Sequence, residues 1–113
     1  MTWNLFIDDE RYPTDVTWGN EEFYSKFPWT IARTLNEVQH LVSLNGFPKF
    51  ISFDHDLGTG EPTGHDIAKW LVNYDLDNNN MPDNFKYFVH SRNPVGKANI
   101  EGLLTSYLKD KCR

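Results

Sequence analysis

A chain of 113 residues with one cysteine, 39% hydrophobic residues and a net charge of −5 is long enough to bury a core without disulfides or a structural metal. The acidic balance excludes a polyanion-coating protein with a broad duplex nucleic-acid surface. No apolar run approaches the roughly 20 residues of a membrane span, and Met1 to Glu10 lack a signal peptide's basic start and cleavage site, so a single cytoplasmic domain, residues 1–113, is expected.

In chain order, "WNLFID" (Trp3 to Asp8) reads as a strand buried on both faces. Glu10 to Pro28 holds a short helix near Glu21 to Lys26, and "WTIAR" (Trp29 to Arg33) a weaker strand. After Thr34 the apolar residues Leu35, Val38, Leu41 and Val42 share one helical face, Thr34 with Glu37 has the capping-box pattern, and Gly46 is the stop. "FISFD" (Phe50 to Asp54) is the third strand. Thr63 opens the next helix, with Ile67, Trp70 and Leu71 inward, and "DLDNNNMPDN" (Asp75 to Asn84) is a polar connection. "KYFVH" (Lys86 to His90) is the fourth strand. Asn93 and Pro94 start a helix striped by Ile100, Leu103, Leu104, Tyr107 and Leu108. Such alternation predicts an α/β fold with a mainly parallel four-stranded sheet and helices on both faces.

In open α/β sheets ligands bind beyond the carboxyl ends of the strands. Three apolar strands here end in polar clusters: Asp8, Asp9 and Glu10; Asp54, His55 and Asp56; His90, Ser91, Arg92 and Asn93. An acidic pair after a strand is often only a helix cap. Asp8 and Asp9 converging with Asp54 would repel one another, and a hard divalent ion such as Mg²⁺ relieves that repulsion. His55 and His90 are read either as core histidines or as groups for acid–base work or metal ligation. His40 is read as a surface residue and His65 is left open.

"GTGEPTG" (Gly58 to Gly64) places backbone amides and a helix start toward the carboxylates, and "SRNPVG" (Ser91 to Gly96) adds a hydroxyl, an amide and a guanidinium. Helix starts favour phosphate, but the Gly-Lys-Ser/Thr ending of a P-loop is absent. The charge is also uneven: Met1 to Phe85 carry 5 Lys and Arg against 14 Asp and Glu, a net −9, whereas Lys86 to Arg113 carry 6 against 2, a net +4. That basic third is read either as a solvated helix end or as the side a phosphate approaches. The four tryptophans are read as core, with Trp18 the exposed exception.

"LFIDDERYP", "FDHDLG", "TGHD" and "VHSRNPVGKANI" resemble the motif series of the cyclic-phosphate-processing receiver domain family, relatives of two-component receiver domains. The likeness spans Leu5 to Leu104 and implies a receiver-like, flavodoxin-like three-layer fold. By that resemblance Asp8 and Asp9 match the receiver's acidic metal-binding pair and Asp54 its phosphate-accepting carboxylate. His55, Asp56, His90, Ser91 and Asn93 match residues of the cyclic-phosphate branch. A receiver's fifth strand and its lysine have no counterpart after "KYFVH", with Lys97 lying in a helix, which argues against phosphorelay.

The leading expectation is a metal-dependent phosphoesterase acting on cyclic nucleotides or on RNA ends that carry a 2′,3′-cyclic phosphate. Asp8, Asp9 and Asp54 would hold Mg²⁺ or Mn²⁺. Asp54, His55, Asp56 and His90 would supply the catalytic groups, with Ser91, Arg92, Asn93 and Gly64 binding substrate. The alternatives are a non-catalytic module that binds a cyclic nucleotide or a protein, and a phosphoacceptor receiver.

Overall fold

The computed structural model describes residues 2–17, 24 and 28–111. Strands β1 (Asn4–Ile7), β2 (Trp29–Ala32), β3 (Phe50–Phe53) and β4 (Lys86–Val89) pair in the order β2-β1-β3-β4. Every pairing is parallel, so the sheet is wholly rather than mainly so. The helices are α1 (Leu35–Asn45), α2 (Gly64–Asn78) and α3 (Pro94–Lys111), with a 3₁₀ turn at Pro13–Asp15. The strand order is that of a receiver-like, flavodoxin-like α/β fold.

Handedness decides which connection covers which face. The chain steps one way along the sheet from β1 to β2 and the other way from β2 to β3 to β4, so right-handed crossovers put the first connection opposite α1 and α2. The packing agrees. Leu5, Ile7, Ile51 and Phe53 meet Val38 and Val42 of α1, Ile67 and Leu71 of α2, and Ile100 and Leu104 of α3. On the reverse face Phe6 packs with Val16 and Tyr24 from the first connection. The short helix expected near Glu21 to Lys26 lies outside the described residues apart from Tyr24, as do Trp18 and Cys112. Trp3, Trp29 and Trp70 are half-buried against the two apolar clusters.

Local chemistry sets the helix ends. Thr34 accepts from Glu37 N–H at 3.2 Å, but the Glu37 carboxylate reaches back to Arg33 N–H at 2.6 Å, so the expected capping box is only half made. The reciprocal box forms at α2: Asp66 accepts from Thr63 N–H at 2.9 Å and Thr63 from Asp66 N–H at 3.2 Å. Such caps contribute about 1 kcal/mol each. Helix α2 then continues through Asp75–Asn78, where a polar connection was expected. Asp75 is tolerated inside because it accepts from Met81 N–H, Tyr107 Oη and Lys111 Nζ at 2.6 to 2.7 Å. Among the described residues no helix is long and apolar enough to cross a membrane.

The parallel ladder runs one residue past each strand. Asp8 N–H donates to Ala32, Asp54 N–H to Ile7 and His90 N–H to Phe53, at 2.9 to 3.2 Å. Three functional candidates from three strands are thereby held at one sheet edge.

Candidate functional site

At that edge lies a cavity of about 440 Å³ lined by Asp9, Glu10, Arg11, Asp54, Asp56, Gly58, Ser91, Arg92 and Asn93. Asp8 and His90 are fully buried beneath it. Ligand atoms of Asp8, Asp54 and His90 lie within 4.8 Å of one another.

The two buried carboxylates have opposite electrostatics. Burial disfavours the charge on Asp8, yet His90 and the N–H groups of Glu10 and Arg11 all donate to it and hold its carboxyl well below the usual range. Burial pushes Asp54 up, and the Asp8 charge pushes it further, against smaller opposing effects of His90, the His55 N–H and Arg11. The guanidinium of Arg11 sits 3.5 Å from Asp8 Oδ2 and 3.8 Å from Asp54 Oδ2, beyond a good charge-assisted hydrogen bond. Arg33 fixes the turn that carries Arg11: its Nη1 donates to the Asp8 carbonyl at 3.0 Å and to the Arg11 carbonyl at 2.7 Å, and its guanidinium lies 4.9 Å from the Tyr12 ring centre.

The two histidines, read alike in the sequence, sit in different surroundings. His90 is sealed: Nε2 is 3.0 Å from Asp8 Oδ2, Nδ1 is 2.7 Å from Ser52 Oγ, and its ring stacks on Phe6 at 4.5 Å. No substrate proton can reach a nitrogen so enclosed without displacing a neighbour. His55 is partly exposed beside the cavity and not among its lining residues, and its Nδ1 pairs with Asp56 Oδ1 at 3.0 Å, which leaves Nε2 as the acceptor nitrogen of a neutral ring. Hydrogen bonds from His55 and from Asn93, the latter at 3.2 Å, hold Asp56 below the usual carboxylate range.

Two expected substrate ligands are already engaged. The Gly64 N–H donates to the His55 carbonyl at 2.8 Å, so that amide is not available to an anion. Asn93 Oδ1 caps α3 through Gly96 N–H at 3.0 Å while its amide serves Asp56. Ser91 Oγ accepts from Asn93 N–H at 3.1 Å and keeps its own hydrogen to donate. Arg92 and Asp9 are exposed on the cavity wall. His40 is exposed on α1; His65, in the first turn of α2, is held low by partial burial and by Lys69.

This edge, with Asp8 and Asp54 under a rim of Ser91, Arg92 and Asn93, is carried by residues 8–93, and the whole of that stretch falls within a family match. Residues 3–106 match the family model described as "Cyclic-phosphate processing Receiver domain". The chain belongs to that family. Neither the curated proteins nor the solved structures give a significant match.

Besides the residues predicted to act, this cyclic-phosphate processing receiver domain draws on Arg33, Ser52 and Tyr24, and on Arg11 and Gly96, which stand inside the quoted motifs. Arg11 stands two residues after the acidic pair, which is its only local signal. Arg33, Ser52 and Tyr24 act across sequence separations of 22 to 38 residues, which one-dimensional spacing does not reveal.

Proposed function

We propose that this chain is a metal-dependent phosphoesterase that opens a cyclic phosphodiester, on a cyclic nucleotide or an RNA end bearing a 2′,3′-cyclic phosphate. The observation that carries the reading is the juxtaposition of Asp8 and Asp54: two buried carboxylates pushed apart in pKa beneath a rim that offers a hydroxyl and guanidinium groups. A pure anion binder gains nothing from carboxylates under its anion.

The donors suit a hard cation. A carboxylate oxygen of Asp8 and one of Asp54 lie within 4.8 Å of each other, with Asp9 at the rim; His90 Nε2 is committed to Asp8, which leaves an all-oxygen set appropriate to Mg²⁺ or Mn²⁺. When bound, such an ion polarises a phosphoryl oxygen and acidifies a coordinated water.

The residues themselves account for the rest. Ser91 donates its hydroxyl hydrogen to a phosphate oxygen, while Arg92 and Arg11 supply positive charge. His55, oriented by Asp56, accepts a proton from the attacking water at Nε2 as the water oxygen bonds to phosphorus. The bond from phosphorus to one ring oxygen breaks, and that oxygen takes the proton that His55 received, converting the cyclic diester to a monoester, or a cyclic dinucleotide to its opened diester.

The test is ³¹P NMR with a pool of 2′,3′-cyclic, 3′,5′-cyclic and dinucleotide phosphates, in Mg²⁺ or Mn²⁺ and in EDTA, with Asp54→Asn alongside. Conversion of one resonance, lost in EDTA and in the variant, supports the enzyme. A resonance that shifts without conversion supports a binding module instead, and a pool left unchanged in position and width overturns both.

A further inference from the structure

Ser52 is the polar interruption in the apolar strand Phe50–Phe53 and has no exposed surface. Its hydroxyl lies in a buried chain: Tyr24 Oη is 2.7 Å from Ser52 Oγ, Ser52 Oγ is 2.7 Å from His90 Nδ1, and His90 Nε2 is 3.0 Å from Asp8 Oδ2. All four side chains are buried.

The direction of the chain follows from its end. An ionised Asp8 can only accept, so His90 Nε2 carries a hydrogen. In a neutral imidazole Nδ1 is then an acceptor, Ser52 donates to it, and the Ser52 oxygen is free to accept from Tyr24. Every link has one donor and one acceptor. The opposite direction would need an imidazolium, because Nδ1 and Nε2 would both have to donate. Phe6 stacks on the imidazole with the ring planes 6° apart, and Tyr24 meets it edge-on at 6.1 Å, so the plane of the ring is fixed and the Ser52 hydroxyl reinforces from Nδ1 the tautomer that Asp8 selects at Nε2.

We infer that Ser52 and Tyr24 are positioning residues of the site, holding His90 as its Nε2–H tautomer so that it pins Oδ2 of Asp8. The inference rests on the reading of Asp8 as a cation ligand. Oδ1 is taken by the Glu10 and Arg11 amides, and Oδ2 faces His90 at 3.0 Å and Arg11 Nη1 at 3.5 Å, so a cation that displaces the longer Arg11 contact meets Asp8 as a monodentate ligand. Tyr24 belongs to the connection on the reverse face of the sheet, so its hydroxyl is linked to the site through three hydrogen bonds.

The experiment is a long-range ¹H–¹⁵N correlation spectrum of histidine-labelled full-length protein at one fixed pH, on wild type, Ser52→Ala, Ser52→Thr and Tyr24→Phe, with Mn²⁺ affinity measured by EPR on the same samples. Wild type is expected to show pyridine-type Nδ1 and pyrrole-type Nε2 for His90. Ser52→Ala should shift the His90 Nδ1 resonance, which loses its donor, and lose about tenfold in Mn²⁺ affinity, the lower end for an outer-shell partner. Ser52→Thr should restore both readouts. Tyr24→Phe, which keeps the ring and removes one oxygen, should move the His90 nitrogens in the same direction by less. A wild-type Nδ1–H tautomer, an imidazolium, or His90 nitrogens unmoved in both Ser52→Ala and Tyr24→Phe overturns the inference. Wild type that binds no Mn²⁺ overturns the metal reading, while the nitrogen spectra still decide the relay.

Discussion

The ring of His55 occupies the space that a β-carbon on Gly96 would take: an added methyl there would fall inside contact distance of the ring's Cγ and Cδ2 and of the histidine Cβ. Gly96 lies in the first turn of α3, where alanine would otherwise gain about 1 kcal/mol of helix propensity. Overpacking of this kind costs about 1–3 kcal/mol, so the net loss of stability is small. A side chain can swing away where backbone cannot. Gly96→Ala is therefore expected to fold, to displace His55 from Asp56, and to lose at least tenfold of cyclic-phosphate turnover. Activity and the His55 ring resonances measured together check this; wild-type turnover with a displaced ring would remove His55 from the mechanism.

Gly64 makes the contrasting case. A β-carbon there meets the carbonyl oxygen and carbon of Asp54 and the α-carbon of His55, all main-chain atoms at the end of β3. No rotamer change relieves that contact, and the hydrogen bond from Gly64 N–H to His55 draws the two segments together. Gly64→Ala should cost about 3–4 kcal/mol, in the upper range for point substitutions. Urea unfolding of the two alanine variants side by side is the measurement, and equal midpoints would contradict the packing of α2 on the third strand.

These two glycines mark the boundary of what the sequence discloses. Periodicity and strand-end chemistry lead to the four strands and three long helices of the described residues and to the shared edge, because apolar patterning and caps are local. Asp75 fails as a loop marker because its three donors come from residues up to 36 positions away. His90 and His55 look equivalent at two strand ends, yet burial by Phe6, Ser52 and Asp8 separates them, and burial is a property of the packed sheet. The capping role of Asn93 was legible from its proline neighbour, but its hold on Asp56 was not.

Asp54 carries a destabilising charge. Its pKa is raised in the folded chain by burial and by Asp8, so just above the ordinary aspartate value the folded state holds protons that the unfolded state has released, and stability falls as pH rises. Asp54→Asn removes that penalty. In EDTA at neutral pH the variant should be more stable than wild type by about 0.5–2 kcal/mol, the gain typical of relieving a functional site, while turnover is lost. Adding Mn²⁺ should narrow the gap by stabilising wild type alone. Thermal melts with and without Mn²⁺ test this, and a less stable Asp54→Asn in EDTA would mean that Arg11 already compensates the charge.

Asp75 and Tyr107 give the fold a stability limit on each side of neutrality. Burial alone would raise Asp75, but Lys111, Tyr107 and Met81 N–H hold it below the ordinary aspartate value. Its contribution is present above an unfolded pKa of about 3.9 and is lost as pH falls through the lower folded value. Tyr107 is pushed up to about 12, first by burial and then by its bond to Asp75. An unfolded tyrosine titrates near 10. Its contribution is thus complete below about pH 10, and stability declines from there to about 12, because the unfolded chain has released a proton that the folded chain still holds. Tyr107→Phe should lower stability at neutral pH by about 1.5–3 kcal/mol, the range for a hydrogen bond to a charged group. The same variant should flatten the alkaline decline. Urea midpoints from pH 7 to about 12 for both proteins measure both effects, and a parallel alkaline slope in Tyr107→Phe would assign the decline to other groups.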